Sequence, residues 1–98
     1  MTRPIVLNPE AQHDLAEARA WYELRRQGLG DELLDGVEEI LEGVSANPFL
    51  YAKVHRDLRI ALVKRFPYLV VYRVDETQIT VAAVYHTRRN PRGWKRRE

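Results

Sequence analysis

Residues 58–89, LRIALVKRFPYLVVYRVDETQITVAAVYHTRR, constrain the fold more than any other part of the chain. Three runs rich in β-branched and aromatic residues, 58–65, 68–74 and 79–85, are separated by Phe66-Pro67 and by Asp75-Glu76-Thr77. Val, Ile and Tyr suit a pleated, half-buried surface. Breaks this short join antiparallel neighbours, because a parallel crossover needs roughly a dozen residues or more. The runs therefore predict a three-stranded antiparallel meander. Arg59, Lys64, Arg65, Arg73, Arg88 and Arg89 lie in or just beyond it. The expectation is a sheet with one buried face and one arginine-bearing face suited to an anionic partner.

The remainder of the chain supplies the cover. Ile5-Val6-Leu7 can add an edge strand, and Asn8-Pro9-Glu10 then opens a helix. Asn8 is a good N-cap, Pro9 suits the first helical position and Glu10 faces the positive end of the dipole. Ala11, Leu15, Ala18 and Tyr22 share one helical face with Trp21 at its edge, while His13, Glu17 and Glu23 look outward. Gln27-Gly28-Leu29-Gly30 ends that helix. A second follows, with Asp31 as N-cap and Leu33, Val37, Ile40, Leu41 and Val44 on its apolar side. Glu32, Asp35, Glu38, Glu39 and Glu42 make its other side acidic, and Asn47-Pro48 closes it. Phe49, Tyr51 and Val54 are expected to anchor the next connection, leaving Lys53, His55 and Arg56 exposed. The order β-α-α-β-β-β is an α+β fold: an N-terminal strand and a helical hairpin packed on an antiparallel sheet.

Composition narrows the setting. A hydrophobic fraction of 45% in 98 residues supports a single domain, 1–98, whose last residues, 90–98, form a basic tail. Without cysteine there is neither a disulfide framework nor a thiolate metal site, and no two histidines have a metal-ligand spacing. No metal or other cofactor is expected. No apolar run has the length of a membrane span, so a cytoplasmic protein is expected. The net charge of +2 hides a split. Residues 1–52 carry four arginines against ten acids, a net −6, and residues 53–98 carry twelve Lys and Arg against four acids, a net +8. Either the basic half is a working surface for nucleic acid or an acidic protein, or the halves merely neutralise each other.

The segments PEAQHDLAEARAWYE, GLGDELLDGVEEIL, SANPFLY, RFPYLVVYRVD and VYHTRRNPRGW, in this order, resemble the RelE/ParE superfamily of type II toxin–antitoxin toxins. The match spans nearly the whole chain. It is most similar to the ParE, or plasmid stabilisation, branch, in which an FPY…YR strand precedes a strand ending in H-x-x-R. The resemblance implies a toxin held in a hetero-oligomer by its cognate antitoxin. ParE-type members inhibit DNA gyrase, and RelE-type members cut mRNA on the ribosome.

Metal-free RNA cleavage needs a base, an acid and cations around the phosphate. His86 with Arg59 and Arg73 is the candidate catalytic set, because histidine titrates near neutral pH. Adjacent strand positions point to opposite faces, so Tyr85 and His86 cannot both serve one site on a regular strand. The glutamate and terminal tyrosine that some ribosome-dependent RNases of the superfamily add are missing: residues 43–74 hold no glutamate and no tyrosine follows Tyr85. Tyr68, Tyr72 and Tyr85 read better as core than as RNA-stacking platforms. The expectation is a non-catalytic gyrase-inhibiting toxin that uses Arg59, Arg65, Arg73, Arg88, Arg89, Arg92, Lys95 and Arg96 as its basic target- or antitoxin-binding surface. The alternative is a ribosome-dependent mRNA endonuclease.

Overall fold

The computed structural model describes residues 3–97, ordered as β1 (Ile5–Leu7), α1 (Pro9–Arg25), α2 (Leu29–Ala46), β2 (Lys53–His55), β3 (Leu58–Leu62), β4 (Tyr68–Val74), β5 (Ile79–His86) and α3 (Arg92–Lys95). Glu98, the end of the expected tail, lies outside these residues. The strands form one sheet in the order β1-β5-β4-β3-β2. β3, β4 and β5 make the antiparallel meander that the short breaks require, and β1 takes one edge, parallel to β5. The α+β class and the helical hairpin on the sheet hold. Two elements are additional: β2, whose single apolar residue Val54 is exposed, and α3, a single turn. Neither is long enough to carry a periodic signal.

The start of α1 follows its local chemistry: Asn8 accepts the Ala11 N–H through its side chain, at 2.9 Å, and Pro9 opens the helix. The turn into α2 differs from expectation. Gly28, at φ +90°, is the residue before α2, and no side chain caps there. Glu23 instead reaches forward from α1, and its carboxylate accepts the N–H groups of Gly28 and Gly30. Asp31 therefore lies inside the first turn, where it pairs with Arg19 at 2.7 Å. The two helices cross closely at Gly30, where a Cβ would sit 2.6 Å from the Arg19 carbonyl.

Leu33, Val37 and Val44 of α2 and Ala11 and Ala18 of α1 are buried against Ala61, Val70, Tyr72, Ile79, Val81 and Val84 of the sheet. Tyr68 and Tyr72 belong to this layer, as expected. Tyr85 does not, because β5 carries a bulge. Val71 pairs with Ala83 and Tyr72 with Val81, which leaves Ala82 as an extra residue. Ala82 and Ala83 consequently sit together in the other layer, and Tyr85 follows them there.

That other layer corrects a second expectation. The far face of the sheet is not an open arginine surface. Leu58, Val71, Ala82, Ala83 and Tyr85 form a second core, closed by Trp94 of α3, which is only 4% exposed. The tail is thus part of the fold, since burying an indole offsets the cost of ordering one helical turn. The connection after α2 also differs: Phe49 and Val54 are exposed, and Tyr51 alone of the three packs on the core. His55 is half-buried, with its ring edge-on to Trp94.

Trp94→Ala should cost about 3–5 kcal/mol, the usual loss for a buried aromatic. Urea unfolding reads this directly; a loss below about 1 kcal/mol would mean the tail is not a core element.

Candidate functional site

The residues that sequence reasoning assigned to a catalytic set come from different places. Tyr68 faces His86 across the β4–β5 pair, whereas Arg59 faces Tyr72 and Arg73 faces Thr80. At a rise of about 3.3 Å per residue, Arg59 and Arg73 lie roughly 13 and 16 Å further along the sheet than His86. Arg59 donates to the Tyr51 carbonyl and lies over the Phe49 ring. Arg73 pairs with Asp75 at 3.4 Å. The three do not converge.

The remaining cations divide into smaller groups. Arg65, in the left-handed turn between β3 and β4 (φ +69°), faces the acidic side of α2 with Lys64, where Lys64 pairs with Glu39. Arg88 and Arg89 are exposed just past β5, with Arg89 stacked over Tyr85 at 4.4 Å. Arg92, Lys95 and Arg96 sit on the C-terminal turn beside His55 and Arg56.

His86 lies at the mouth of a cleft of about 390 Å³ between α1 and the end of the sheet. Asp14, Glu17, Trp21 and Tyr22 line it from α1, Tyr68 from β4, and Arg89 closes one side. The His86 ring meets Tyr68 edge-on at 5.2 Å, and its Nδ1 accepts the Arg88 N–H at 3.0 Å. That bond shapes the turn after β5 and leaves Nε2 as the ring nitrogen able to meet a ligand. Among the described residues no three His, Asp or Glu side chains form a group able to hold a metal.

Beside this cleft lies a pair that sequence reasoning missed. Asp14 is 8% exposed, and its Oδ2 accepts the Val84 N–H at 3.1 Å and an Arg97 N–H at 2.5 Å. Arg97 also reaches Asp14 Oδ1 and the Ala82 carbonyl, each at 3.3 Å, and Glu10 at 3.2 Å. Burial alone would weaken the charge on Arg97. The hydrogen bonds and negative charge of Asp14, aided by Glu10, outweigh it and hold the guanidinium above its ordinary pKa. The available signal was Asp14 itself, an acid on the same helical stripe as Ala11 and Ala18.

With this geometry in place, the architecture can be set beside solved ones, and it is the RelE/ParE-like fold. The solved structure described as the chromosomal ParDE TA system from P. aeruginosa is similar, with a TM-score of 0.76 at 13% identity, covering 87% of this chain and 96% of that one. The YoeB dimer from Staphylococcus aureus is also similar, with a TM-score of 0.60 at 20% identity, covering 88% and 99%. No curated protein matches the chain. The family described as ParE toxin of type II toxin–antitoxin system, parDE, matches residues 5–91, and the chain belongs to it. Membership implies a cognate antitoxin as partner. Among the described residues no helix is long and apolar enough to cross a membrane.

Burial is the main cause raising the pKa of Tyr22, Tyr68 and Tyr72; Arg89 partly opposes it at Tyr68, and Arg59 at Tyr72. The folded protein therefore keeps phenolic protons that the unfolded chain releases first. This contribution is fully present below the unfolded value of about 10 and is lost as pH rises through the higher folded values. The urea midpoint should hold steady from about pH 7 to 9 and fall above roughly pH 10. A midpoint unchanged to about pH 11 would contradict these shifts.

Proposed function

We propose that this toxin acts in the cytoplasm by binding and inhibiting DNA gyrase, without bond-breaking chemistry of its own, and that its antitoxin relieves the inhibition. The observation that carries this reading is the separation of His86 from Arg59 and Arg73. Those side chains would have to gather round one phosphate to cleave RNA. A binding inhibitor needs no such convergence. It can use Arg59, Arg65, Arg73, Arg88, Arg89, Arg92, Lys95 and Arg96 as dispersed contacts that raise association rate and fix orientation. Membership of the ParE family supports the same reading.

One observation favours the alternative, a ribosome-dependent mRNA endonuclease. The His86 cleft also holds Glu17 and Arg89, which are an acid–base group and a cation beside a titratable imidazole. The two readings part at His86, whose bond to the Arg88 N–H gives it a structural role in the first.

A gyrase supercoiling assay with antitoxin-free protein tests the proposal. Inhibition or trapped DNA cleavage is expected, reversed by antitoxin, and His86→Ala should inhibit as well as the parent. A folded, growth-arresting protein that leaves gyrase untouched, and whose His86→Ala variant no longer arrests growth, would establish the endonuclease instead.

A further inference from the structure

Charge is segregated across the sheet. The exposed side of α2, with Glu32, Asp35, Glu38, Glu39 and Glu42, belongs to the layer over one face. The other face is closed by α3, where Arg92, Lys95 and Arg96 are exposed. Residues three and four apart share a side of a helical turn, so these three cations point outward together. The inward side is fixed by Trp94, by the Arg97 pair with Asp14, and by Gly93, where a Cβ would run into the Tyr85 hydroxyl. Among the described residues Arg92, Lys95 and Arg96 have no acidic partner.

We propose that this face binds the phosphate backbone of duplex DNA without reading its sequence. The groove it borders, about 570 Å³, is lined among the described residues by His55, Arg56, Arg92, Lys95 and Arg96, with no apolar side chain. A protein partner would need a desolvated apolar or aromatic anchor to bind tightly. A nucleic-acid backbone needs only cations, because neutralising phosphates releases condensed counterions. The aromatic group nearest the groove, Trp94, is buried beneath it, and the His55 ring is turned edge-on to it at 6.5 Å. Among the described residues no Phe, Tyr or Trp ring lines the groove for base stacking, which favours a duplex over a single strand. A helix of four residues is too short to lie along the major groove as a recognition helix, so its Arg and Lys side chains are placed for phosphate contacts. The acidic α2 layer, on the opposite face, is repelled by the same polyanion and so orients the molecule. Binding of bare duplex stands or falls separately from gyrase inhibition, whatever happens to supercoiling.

The test is fluorescence anisotropy of a labelled 20-bp duplex of arbitrary sequence with antitoxin-free protein, titrated at several salt concentrations. The patch variant R92Q/K95Q/R96Q is compared with R25Q/R26Q/K64Q, which removes the same charge from the helix side. The patch variant should bind roughly tenfold or more weaker at low salt. Its log–log salt slope should be about 2 to 3 shallower, since each phosphate it no longer neutralises accounts for about 0.9 of slope. The helix-side variant should match the parent, and a single strand should bind more weakly than the duplex. Equal losses from both triple variants, an unchanged patch variant, or tighter binding of polyglutamate than of duplex would overturn the proposal. Urea unfolding checks that the variants are folded. The single variants R92E, K95E and R96E carry the same comparison if the triple variant is not.

Discussion

The arrangement rests on one buried carboxylate. Asp14 sits on the sheet-facing stripe of α1, next to the place where the β5 bulge interrupts the ladder. β1 ends its pairing with β5 at Val81, so the Val84 N–H has no neighbouring strand on that side; Asp14 accepts it instead. A carboxylate withdrawn from water is costly unless paired and hydrogen-bonded. Arg97 meets both needs and also binds the Ala82 carbonyl. Three distant parts of the chain therefore meet at one point: the first helix, the bulged strand and the C-terminal segment.

The consequences spread through both layers. The bulge brings Ala83 and Tyr85 to the far face beside Ala82, which creates an apolar surface that needs a cover. Trp94 supplies it, and Arg97 secures the segment that carries Trp94. With the tail fixed in this way, Arg92, Lys95 and Arg96 are held outward on a rigid turn. The sequence asymmetry between an acidic first half and a basic second half is thus partly a spatial one, with an acidic exposed side of α2 over one face of the sheet and a basic C-terminal turn over the other. Such a molecule approaches a polyanion in a preferred orientation.

Much of this is legible in the amino-acid sequence. The meander, the apolar faces of both helices and the Asn8-Pro9 start all follow from periodicity and capping chemistry, which are local signals. The parts that are not legible are non-local. A bulge has no sequence marker in ITVAAVYH, and without it Tyr85 is placed on the wrong face. Asp31 has the right residue type for an N-cap, but the Glu23 carboxylate reaches the helix start from another element. Trp94 and Arg97 look like the ends of a solvated basic tail until the surface awaiting Trp94 and the carboxylate awaiting Arg97 are known. The candidate catalytic set has the same non-local character: residue types single out His86, Arg59 and Arg73 as suitable chemistry, and only strand register reveals how far apart they stand.

The central claim is that Asp14 and Arg97 act as one unit tying the C-terminal segment to the bulged strand. A double-mutant cycle with Asp14→Asn, Arg97→Gln and the pair, read by urea unfolding, measures it most directly. The account predicts strong coupling, about 2 kcal/mol or more, because either single change strands a buried partner that the double change does not. Additive losses within about 0.5 kcal/mol would contradict it, and would mean that Trp94 holds the tail without help from the ion pair.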